Sequence, residues 1–312
     1  MALLNMMCPK REAKSRREIE KREKGRRNLL QKYIEHPYSH ETFKSAKKTQ
    51  TIRVSEELEL VSPFPAAYVR KHNALIVSDV HLGLDSRLAM RGTSLPGSVY
   101  RDVADSILIP TRDLDCSLVY ILGDLKHGHG KLNRSEEWEV RGLVQQIRAA
   151  GAEPILVKGN HDRFLNGVLS ELRVAWHEDY VALENIILTH GDKKVNSASR
   201  GRDKQDRKTS ACVMGHEHPA VSLRVESNSR KEKFKAFLVV PGNPRRSVPM
   251  MVVLPSVNPL AYGTEVNGIP KSDFISPYLR EASNLWEADT YLLEVGQLLL
   301  RFPKLGLLRS KS

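Results

Sequence analysis

The sequence predicts an α/β sandwich built on mixed β-sheets. Short apolar segments alternate with helical patterns over residues 73–171, which is typical of parallel βαβ units. From residue 180 onward, apolar segments follow one another with few helical patterns between them, which indicates a β-rich second half. The 312 residues are 40% hydrophobic and 28% charged, so the chain can bury a core.

The first half contains three predicted strands. They lie in NALIVSDVH from residue 73, CSLVYILGD from residue 116 and EPILVKGNHD from residue 153. The predicted helices lie in SVYRDVADSILIP from residue 98, SEEWEVRGLVQQIRAAG from residue 135 and DRFLNGVLSEL from residue 162. We expect Ser135 to cap the second of these helices and Gly151 to end it.

The second half is predicted to consist mainly of strands and hairpins. YVALENIILTHGD from residue 180 has the pattern of a hairpin, and TSACVMGHEHP from residue 209 that of a strand ending in polar groups. KAFLVVPG and MMVVLPSVNPL follow as strands, and TYLLEVGQLLLRF as a hairpin around Gly296 and Gln297.

The positive charge is concentrated at the N-terminus. Residues 1–50 hold 14 Lys and Arg and 6 Asp and Glu, and thus +8 of the net charge of +12. We expect residues 1–50 to form a basic extension, helical or disordered, ahead of a folded domain at 51–312. The extension either binds a polyanion such as nucleic acid or is a solvated tail without a defined partner.

Composition points to a soluble protein of the cytoplasm. No apolar run approaches the ~20 residues that span a bilayer, and the N-terminus runs apolar then basic, the reverse of a signal peptide. The three cysteines, Cys8, Cys116 and Cys212, form no CxxC motif. A disulfide framework or thiolate zinc site is therefore not expected, and Cys116 and Cys212 are interpreted as buried apolar residues.

Five predicted strands end in metal-type ligands. These ends are Asp79-Val80-His81, Gly123-Asp124, Gly159-Asn160-His161-Asp162, His190-Gly191-Asp192 and Gly215-His216-Glu217-His218. Sites in open α/β sheets form outside the carboxyl ends of strands, so these groups are expected to meet in one crevice. Carboxylate, amide and imidazole donors suit Mn, Fe, Co or Zn.

Local features support this convergence, although each motif alone has a simpler interpretation. Residues i and i+2 of Asp-x-His or His-x-His project to the same side of an extended segment, and the preceding glycines leave room for ions. Taken singly, such pairs are solvated surface residues, the glycine motifs are turns, and Asn160 is a helix cap. Their succession along one chain favours a shared site.

The ordered motifs DVH, GD, GNHD, THGD and GHEH resemble those of the calcineurin-like metallophosphoesterase superfamily, over residues 70–260 or so. GDLKH, GHEHP and VVLPSVNPLAYGTEVN are similar to segments of small archaeal and bacterial phosphoesterases related to DNA-repair nucleases. The resemblance implies a four-layer αββα sandwich with two mixed sheets.

The resemblance also implies a site for two divalent ions, manganese first, with Fe, Zn, Co or Ni as alternatives. One ion would be held by Asp79, His81 and His218, the other by Asn160, His190 and His216, and both by the bridging Asp124. His161 would not bind metal but would give a proton to the leaving group. Two ions about 3.5–4 Å apart would clamp the phosphate and generate a hydroxide for attack on phosphorus.

One position departs from the family pattern. Much of the superfamily has an aspartate three residues after the bridging one, which orients the catalytic histidine, and this chain has His127 there. Asp162 or a backbone carbonyl are the alternatives for orienting His161. His127 and His129 either touch substrate or are loop residues.

Two further acidic residues adjoin the ligands in sequence. Asp192 and Glu217 are candidates to accept hydrogen bonds from ligand imidazoles, or are simply solvated.

The predicted function is hydrolysis of phosphodiester bonds, in nucleic acid or nucleotides, by a metal-dependent enzyme. A phosphomonoesterase acting on phosphoproteins, a non-catalytic binding module and a nucleic-acid binder acting through its tail are the alternatives. Residues 193–208 hold seven Lys and Arg and two Asp, and either steer a polyanionic substrate or form a solvated insertion. Few aromatic residues adjoin the motifs, so no base-stacking platform is expected.

Overall fold

The computed structural model describes residues 48–90, 92, 99–195, 209–225, 230–243 and 248–309. Most of the expected basic extension and residues 196–208 of the basic loop lie outside the described residues. The domain boundary at residue 50 therefore stays a prediction.

The first sheet has seven strands, which lie side by side in chain order. They are β1 Gln50–Arg53, β2 Leu58–Ser62, β3 Ala66–Val69, β4 Ala74–Ser78, β5 Leu118–Leu122, β6 Glu153–Val157 and β7 Ala175–His177. Strands β1–β4 pair antiparallel, and β4–β7 pair parallel. The predicted strands β4, β5 and β6 are confirmed, whereas β1–β3 and β7 were not predicted.

Five α-helices lie in the described chain. They are α1 Leu84–Met90, α2 Val99–Asp113, α3 Arg134–Ala149, α4 Asn166–Glu171 and α5 Pro277–Glu281. The predicted helices correspond to α2, α3 and α4.

The prediction that Ser135 caps α3 was wrong. Asn133 caps the helix: its side chain accepts from the amide of Glu136 at 2.8 Å, and the Glu136 carboxylate accepts from the amide of Asn133 at 3.0 Å. Ser135 already lies inside the first turn. Gly151 follows the last turn at φ +92°, as expected for a helix end.

The second sheet is mixed and has nine strands. They are β8 Tyr180–Leu183, β9 Ile186–Thr189, β10 Ala211–Met214, β11 Pro219–Val225, β12 Arg230–Val240, β13 Met250–Val253, β14 Thr264–Glu265, β15 Asp289–Glu294 and β16 Leu298–Phe302. Their order is β14-β11-β12-β13-β10-β9-β8, with β15 paired to β12 and β16 to β15. Both predicted hairpins are confirmed, as β8–β9 and β15–β16.

Three apolar cores separate four layers. Leu75 and Val77 of β4 face the core beneath α2 and α3, whereas Ile76 between them faces the core shared by the two sheets. The third core lies on the outer face of the second sheet and includes Phe274 and Leu279. The αββα sandwich is therefore confirmed, with an outer layer of α5 and short 3-10 turns rather than long helices.

Two smaller expectations concern solvent and membrane. Cys116 and Cys212 are buried free thiols, as expected. Within the described part of the chain, no helix combines the length and apolar character needed to cross a membrane.

Candidate metal centre

The predicted ligands leave the two sheets at edges that face one another. Strands β4, β5 and β6 are parallel neighbours, so Asp79, Asp124 and Asn160 follow the same edge of the first sheet. Strands β9 and β10 are parallel neighbours in the second sheet, so His190 and His216 follow one edge there. We call the β4–β6 ends the first-sheet side of the centre, and the β9 and β10 ends the second-sheet side.

The first donor group combines Asp79, His81 and His218, whose ligand atoms lie within 4.8 Å of one another. Nε2 of His218 lies 2.9 Å from Oδ1 of Asp79 and 3.3 Å from Nε2 of His81. One carboxylate and two imidazoles therefore face one point.

The second donor group combines Asp124, His190 and His216, again within 4.8 Å. Nε2 of His190 lies 3.1 Å from Nδ1 of His216 and 3.2 Å from Oδ1 of Asn160. Nδ1 of His190 donates to the carbonyl of Leu122 at 3.0 Å, which leaves the Nε2 lone pair for a cation.

The Asp124 carboxylate lies between the two groups. Its Oδ2 is 3.9 Å from Nε2 of His81, and its Oδ1 is 3.6 Å from Nε2 of His190. Each oxygen of one buried carboxylate thus faces a different donor group.

The ligands converge through left-handed turns rather than through the pleat of an extended segment. The φ angles are 55° at Asp79, 45° at His81, 51° at Asp124, 64° at His216 and 45° at His218. Non-glycine residues adopt this region rarely, and it costs on the order of 1–3 kcal/mol where the surroundings impose it. The expectation of same-side projection from an extended strand was wrong in this respect.

The three glycines that precede Asp124, Asn160 and His216 leave room for ligand side chains. A Cβ at Gly159 would overlap Oδ1 of Asp124. A Cβ at Gly123 would overlap the His190 ring, and one at Gly215 would overlap the Asp79 carboxylate and lie 2.6 Å from Cβ of Ser78. The space beside these glycines, which was expected to hold ions, is occupied by the side chains that would bind them.

The electrostatics of the ligands suit a cation. Burial lowers the pKa of His216 to about 4 and that of His81 well below its usual value, so both imidazoles are neutral with a free lone pair. Burial alone would raise the pKa of Asp79, but the attraction of His218 and His190 outweighs it and lowers that pKa. Burial raises the pKa of Asp124 to about 7, and although burial alone would lower the pKa of His190, the charges of Asp124 and Asp79 raise it. A divalent ion would therefore displace a proton at this pair.

His161 lies at the edge of the first-sheet side. Its Nδ1 donates to the backbone carbonyl of His127 at 2.5 Å, and its Nε2 lies 3.7 Å from Oδ2 of Asp124. Of the two alternatives for orienting this ring, the structure therefore has the backbone carbonyl. Asp162 instead accepts from the amide of Gly159 at 3.0 Å and that of Lys126 at 3.5 Å.

The second histidine of that loop is exposed and stacks on His161. The His129 and His161 ring centroids are 3.7 Å apart with a 30° interplanar angle. Burial is the main cause that lowers the pKa of His161 to about 4, with the neighbouring imidazoles adding to it.

Glu217 matches neither of the alternatives given for the acidic neighbours of the ligands. Glu217 is buried, and its carboxylate accepts from the amides of Ser276 at 2.8 Å and Ile275 at 3.3 Å, which ties the outer layer to the centre. Asp192 acts through its charge, which favours the protonated forms of His190 and His216.

Sequence reasoning missed the segment that supports Asp79 and His81. Ser256 Oγ donates to the carbonyl of Asp79 at 2.7 Å, and the Asn258 side chain donates to the carbonyl of His81 at 3.0 Å. The ammonium of Lys235 donates to the carbonyls of Ser256 and Asn258 at 2.7 and 2.8 Å. The stretch PSVNP carried the only sequence signal for this support.

Two exposed aromatic residues belong to segments that enter the centre. Phe164 lies three residues after His161 and is 49% exposed, and Tyr262 is 52% exposed. Tyr262 precedes Gly263, where a Cβ would lie 2.6 Å from Cβ of His218. The expectation that no stacking platform adjoins the motifs stays a prediction.

Comparison with known proteins identifies a family and several solved structures that this chain resembles. The family model described as calcineurin-like phosphoesterase superfamily domain matches residues 73–255. The nuclease MPE of Pseudomonas putida superposes with a TM-score of 0.52 at 21% identity, covering 78% of this chain and 96% of that one. No curated protein sequence matches this one.

Two other solved structures are similar at lower scores. A metallophosphoesterase from Sphaerobacter thermophilus has a TM-score of 0.28 at 18% identity, covering 74% of this chain and 88% of that one. The phosphoesterase YfcE of E. coli has a TM-score of 0.34 at 16% identity, covering 73% of this chain and 97% of that one. The family match spans more than half of the chain, and the two-sheet fold and the His/Asp donor groups agree with it. The chain therefore belongs to the calcineurin-like phosphoesterase superfamily and is a metal-dependent hydrolase of phosphate esters.

Proposed function

We propose that the protein hydrolyses phosphodiester bonds, in nucleic acid or nucleotides, with two divalent ions. The observation that carries this proposal is the position of Asp124, whose two carboxylate oxygens face separate donor groups at 3.9 and 3.6 Å from their nearest imidazole nitrogens. A single ion would leave one of these buried groups without a cation.

Seven side chains would hold the two ions. They are Asp79, His81 and His218 for one ion, Asn160, His190 and His216 for the other, and Asp124 for both. When bound, such ions supply an activated water and neutralise charge on the phosphate oxygens. Oxygen and nitrogen donors of this kind suit manganese, which we propose first, with Fe, Zn, Co or Ni as alternatives.

His161 would donate a proton to the departing oxygen from Nε2. Its Nδ1–H is committed to the His127 carbonyl, so Nε2 is the nitrogen left to face the centre. The lowered pKa of His161 opposes this role in the free protein, and the negative charge of a bound phosphodiester favours the protonated form.

The diester preference is supported by the likeness to the Pseudomonas putida nuclease, which extends over 96% of that protein. Phe164 and Tyr262 are exposed aromatic residues in segments next to the centre, and we propose that bases stack on them. The basic residues of 1–50 and 193–208 would add phosphate contacts. Buried free thiols at Cys116 and Cys212 accord with the proposed cytoplasmic location.

Substrate profiling tests the proposal. The full chain, loaded in turn with Mn, Co, Zn, Ni or Mg, is assayed on bis-p-nitrophenyl phosphate, p-nitrophenyl phosphate, DNA and RNA oligonucleotides and a phosphopeptide. We expect the higher kcat/KM with the diesters and two ions bound per chain. A preference for the monoester or the phosphopeptide would establish the phosphomonoesterase alternative instead. Binding of a single ion would reject the two-ion site.

A further inference from the structure

We propose that Lys126 and Glu136, two buried charged residues that cannot touch substrate, position the His161 ring by fixing the backbone of residues 127–130. This inference rests on the proposed role of His161 as proton donor. It concerns how this chain orients that histidine with a backbone carbonyl rather than a side chain.

The hydrogen-bond acceptor of His161 Nδ1 is a backbone carbonyl, so its direction is set by the backbone and not by a side-chain rotamer. The carbonyl of His127 points wherever the backbone of residues 127–130 directs it, and two of these four residues are glycines. Glycine-rich backbone is conformationally free unless other groups restrain it. A carbonyl that must meet His161 Nδ1 at 2.5 Å therefore requires restraint from elsewhere.

Lys126 supplies the first restraint. Its side chain is fully buried, and its ammonium donates to the carbonyl of Gly128 and, at 2.9 Å, to the carbonyl of Gly130. Burying an ammonium is costly unless its N–H groups are satisfied, so the loop is held closed around Nζ. The other end of the loop is fixed by the amide of His127, which donates to the carbonyl of Leu82 at 2.9 Å.

Glu136 supplies the second restraint. It is fully buried, and its Oε1 accepts from the amide of Gly128 at 3.2 Å and lies 3.5 Å from Nε of Arg87. A Cβ at Gly128 would lie 2.8 Å from Oε1 of Glu136 and 2.8 Å from Cζ of Arg87. The peptide group that contains the His127 carbonyl is thus held at its N–H by Glu136, and the following peptide group is held at its C=O by Lys126.

Burial limits what these two residues can do. Both are 0% exposed, so neither meets substrate. Glu136 also caps α3, but the hydrogen bonds that both residues make to the backbone of residues 127–130 are their direct connection to His161. Their removal should therefore impair proton donation selectively and leave ion binding and substrate binding intact.

The test compares leaving groups in Lys126→Met and Glu136→Gln. A dinucleotide has an alkoxide leaving group that needs a proton, whereas p-nitrophenolate leaves without one. With manganese bound, we expect kcat for the dinucleotide to fall about 10–100-fold, as for other residues that orient a catalytic group, with KM unchanged. The fall with bis-p-nitrophenyl phosphate should stay below about threefold. Equal falls for both substrates would overturn the inference.

A double-mutant cycle separates positioning from general stability. In a His161→Ala background, Lys126→Met should cause no further loss with the dinucleotide, because the ring it positions is absent. Multiplication of the two losses would overturn the inference. If the loss caused by His161→Ala does not depend on the leaving group, the proposed role of His161 fails. If the loss caused by His161→Ala does depend on the leaving group but the loss caused by Lys126→Met does not, only the present inference is rejected.

A readout without metal or turnover completes the test. Nitrogen-15 NMR of the metal-free full chain should show His161 as the Nδ1–H tautomer, with the Nε2–H form growing in Lys126→Met and Glu136→Gln. An unchanged tautomer in folded variants would count against the inference. Should Lys126→Met not fold, Glu136→Gln carries the same comparisons.

The matched control is Glu59→Gln. Glu59 is likewise a buried carboxylate, 4% exposed, and it lies in β2, where it pairs with Arg70 at 2.8 Å. We expect this variant to lose some thermal stability with no leaving-group selectivity and no change at His161. A selective effect in Glu59→Gln would show that buried charge loss in general produces the pattern, and would overturn the inference.

Discussion

The two sides of the metal centre are supported in different ways. The first-sheet side is backed by α2 and α3 and by buried Lys126 and Glu136, and it carries His161 as well as proposed metal ligands. The second-sheet side contributes His190, His216 and His218, and Glu217 and Ser276 tie it to a thin outer layer. Under the proposed function, the second-sheet side serves ion binding alone, whereas the first-sheet side serves both ion binding and proton transfer.

Loss of the shared ligand should have the largest effect, because it affects both sides. Asp124→Asn removes the charge that faces both donor groups, and we expect kcat/KM to fall by at least about 10³-fold for either leaving group. Bound ions, measured by elemental analysis, should drop below two per chain while circular dichroism stays that of the wild type. Full activity with two ions would remove Asp124 from the bridging position.

Loss of the proton donor should distinguish the two sides. His161→Ala should lower kcat for a dinucleotide about 10²–10⁴-fold while two ions stay bound, since no donor atom of either group is lost. Isothermal titration with manganese and steady-state kinetics measure the two quantities separately. A parallel loss of ion affinity would make His161 a ligand instead.

The second-sheet side is tested by Glu217→Gln. Glu217 lies between the proposed ligands His216 and His218 in sequence, and its carboxylate accepts from the amides of Ile275 and Ser276. Loss of this anchor should lower the ion affinity roughly 10-fold. At saturating ion, kcat should recover for good and poor leaving groups alike. A leaving-group dependence in this variant would erase the distinction between the sides.

The first-sheet side should also show a pH-dependent stability. Burial raises the pKa of Glu139, which accepts from the amide of Gly83 at 2.8 Å, to about 7, above its usual 4.5. The folded state then binds the proton more tightly, so this contribution is present below pH 4.5 and is lost as the pH rises through 7. Urea unfolding should show wild type losing roughly 1–3 kcal/mol relative to Glu139→Gln between pH 5 and pH 8. A constant difference would contradict the shift.

The smallest expected effect concerns the exposed aromatic residues Phe164 and Tyr262. Phe164→Ala and Tyr262→Ala should each raise KM for a dinucleotide roughly fivefold, equivalent to about 1 kcal/mol of stacking, and leave bis-p-nitrophenyl phosphate unaffected. Trp138→Ala is the control, because Trp138 is 67% exposed and packs on Tyr100 of α2. An equal rise in Trp138→Ala would show that stacking beside the centre is not the cause.

Prediction from sequence succeeded where the local signal was distinctive and failed where it was too short or was shared by a neighbouring residue. An apolar run followed at once by ligand residues identified the ends of β4, β5, β6, β9 and β10, and apolar periodicity identified α2 and α3. The four-residue strands β1 and β3 are too short to show a period. Asn133 was missed as a cap because Ser135 has the same chemistry two residues later.

The sequence by itself determined which side chains are proposed to hold ions, since ligand chemistry and position after a buried strand are both local properties. Only the tertiary structure decided that Asp124 faces both donor groups, because that depends on how the two sheets pack. It also decided that a carbonyl orients His161, since every residue has one and none carries a signal in the sequence.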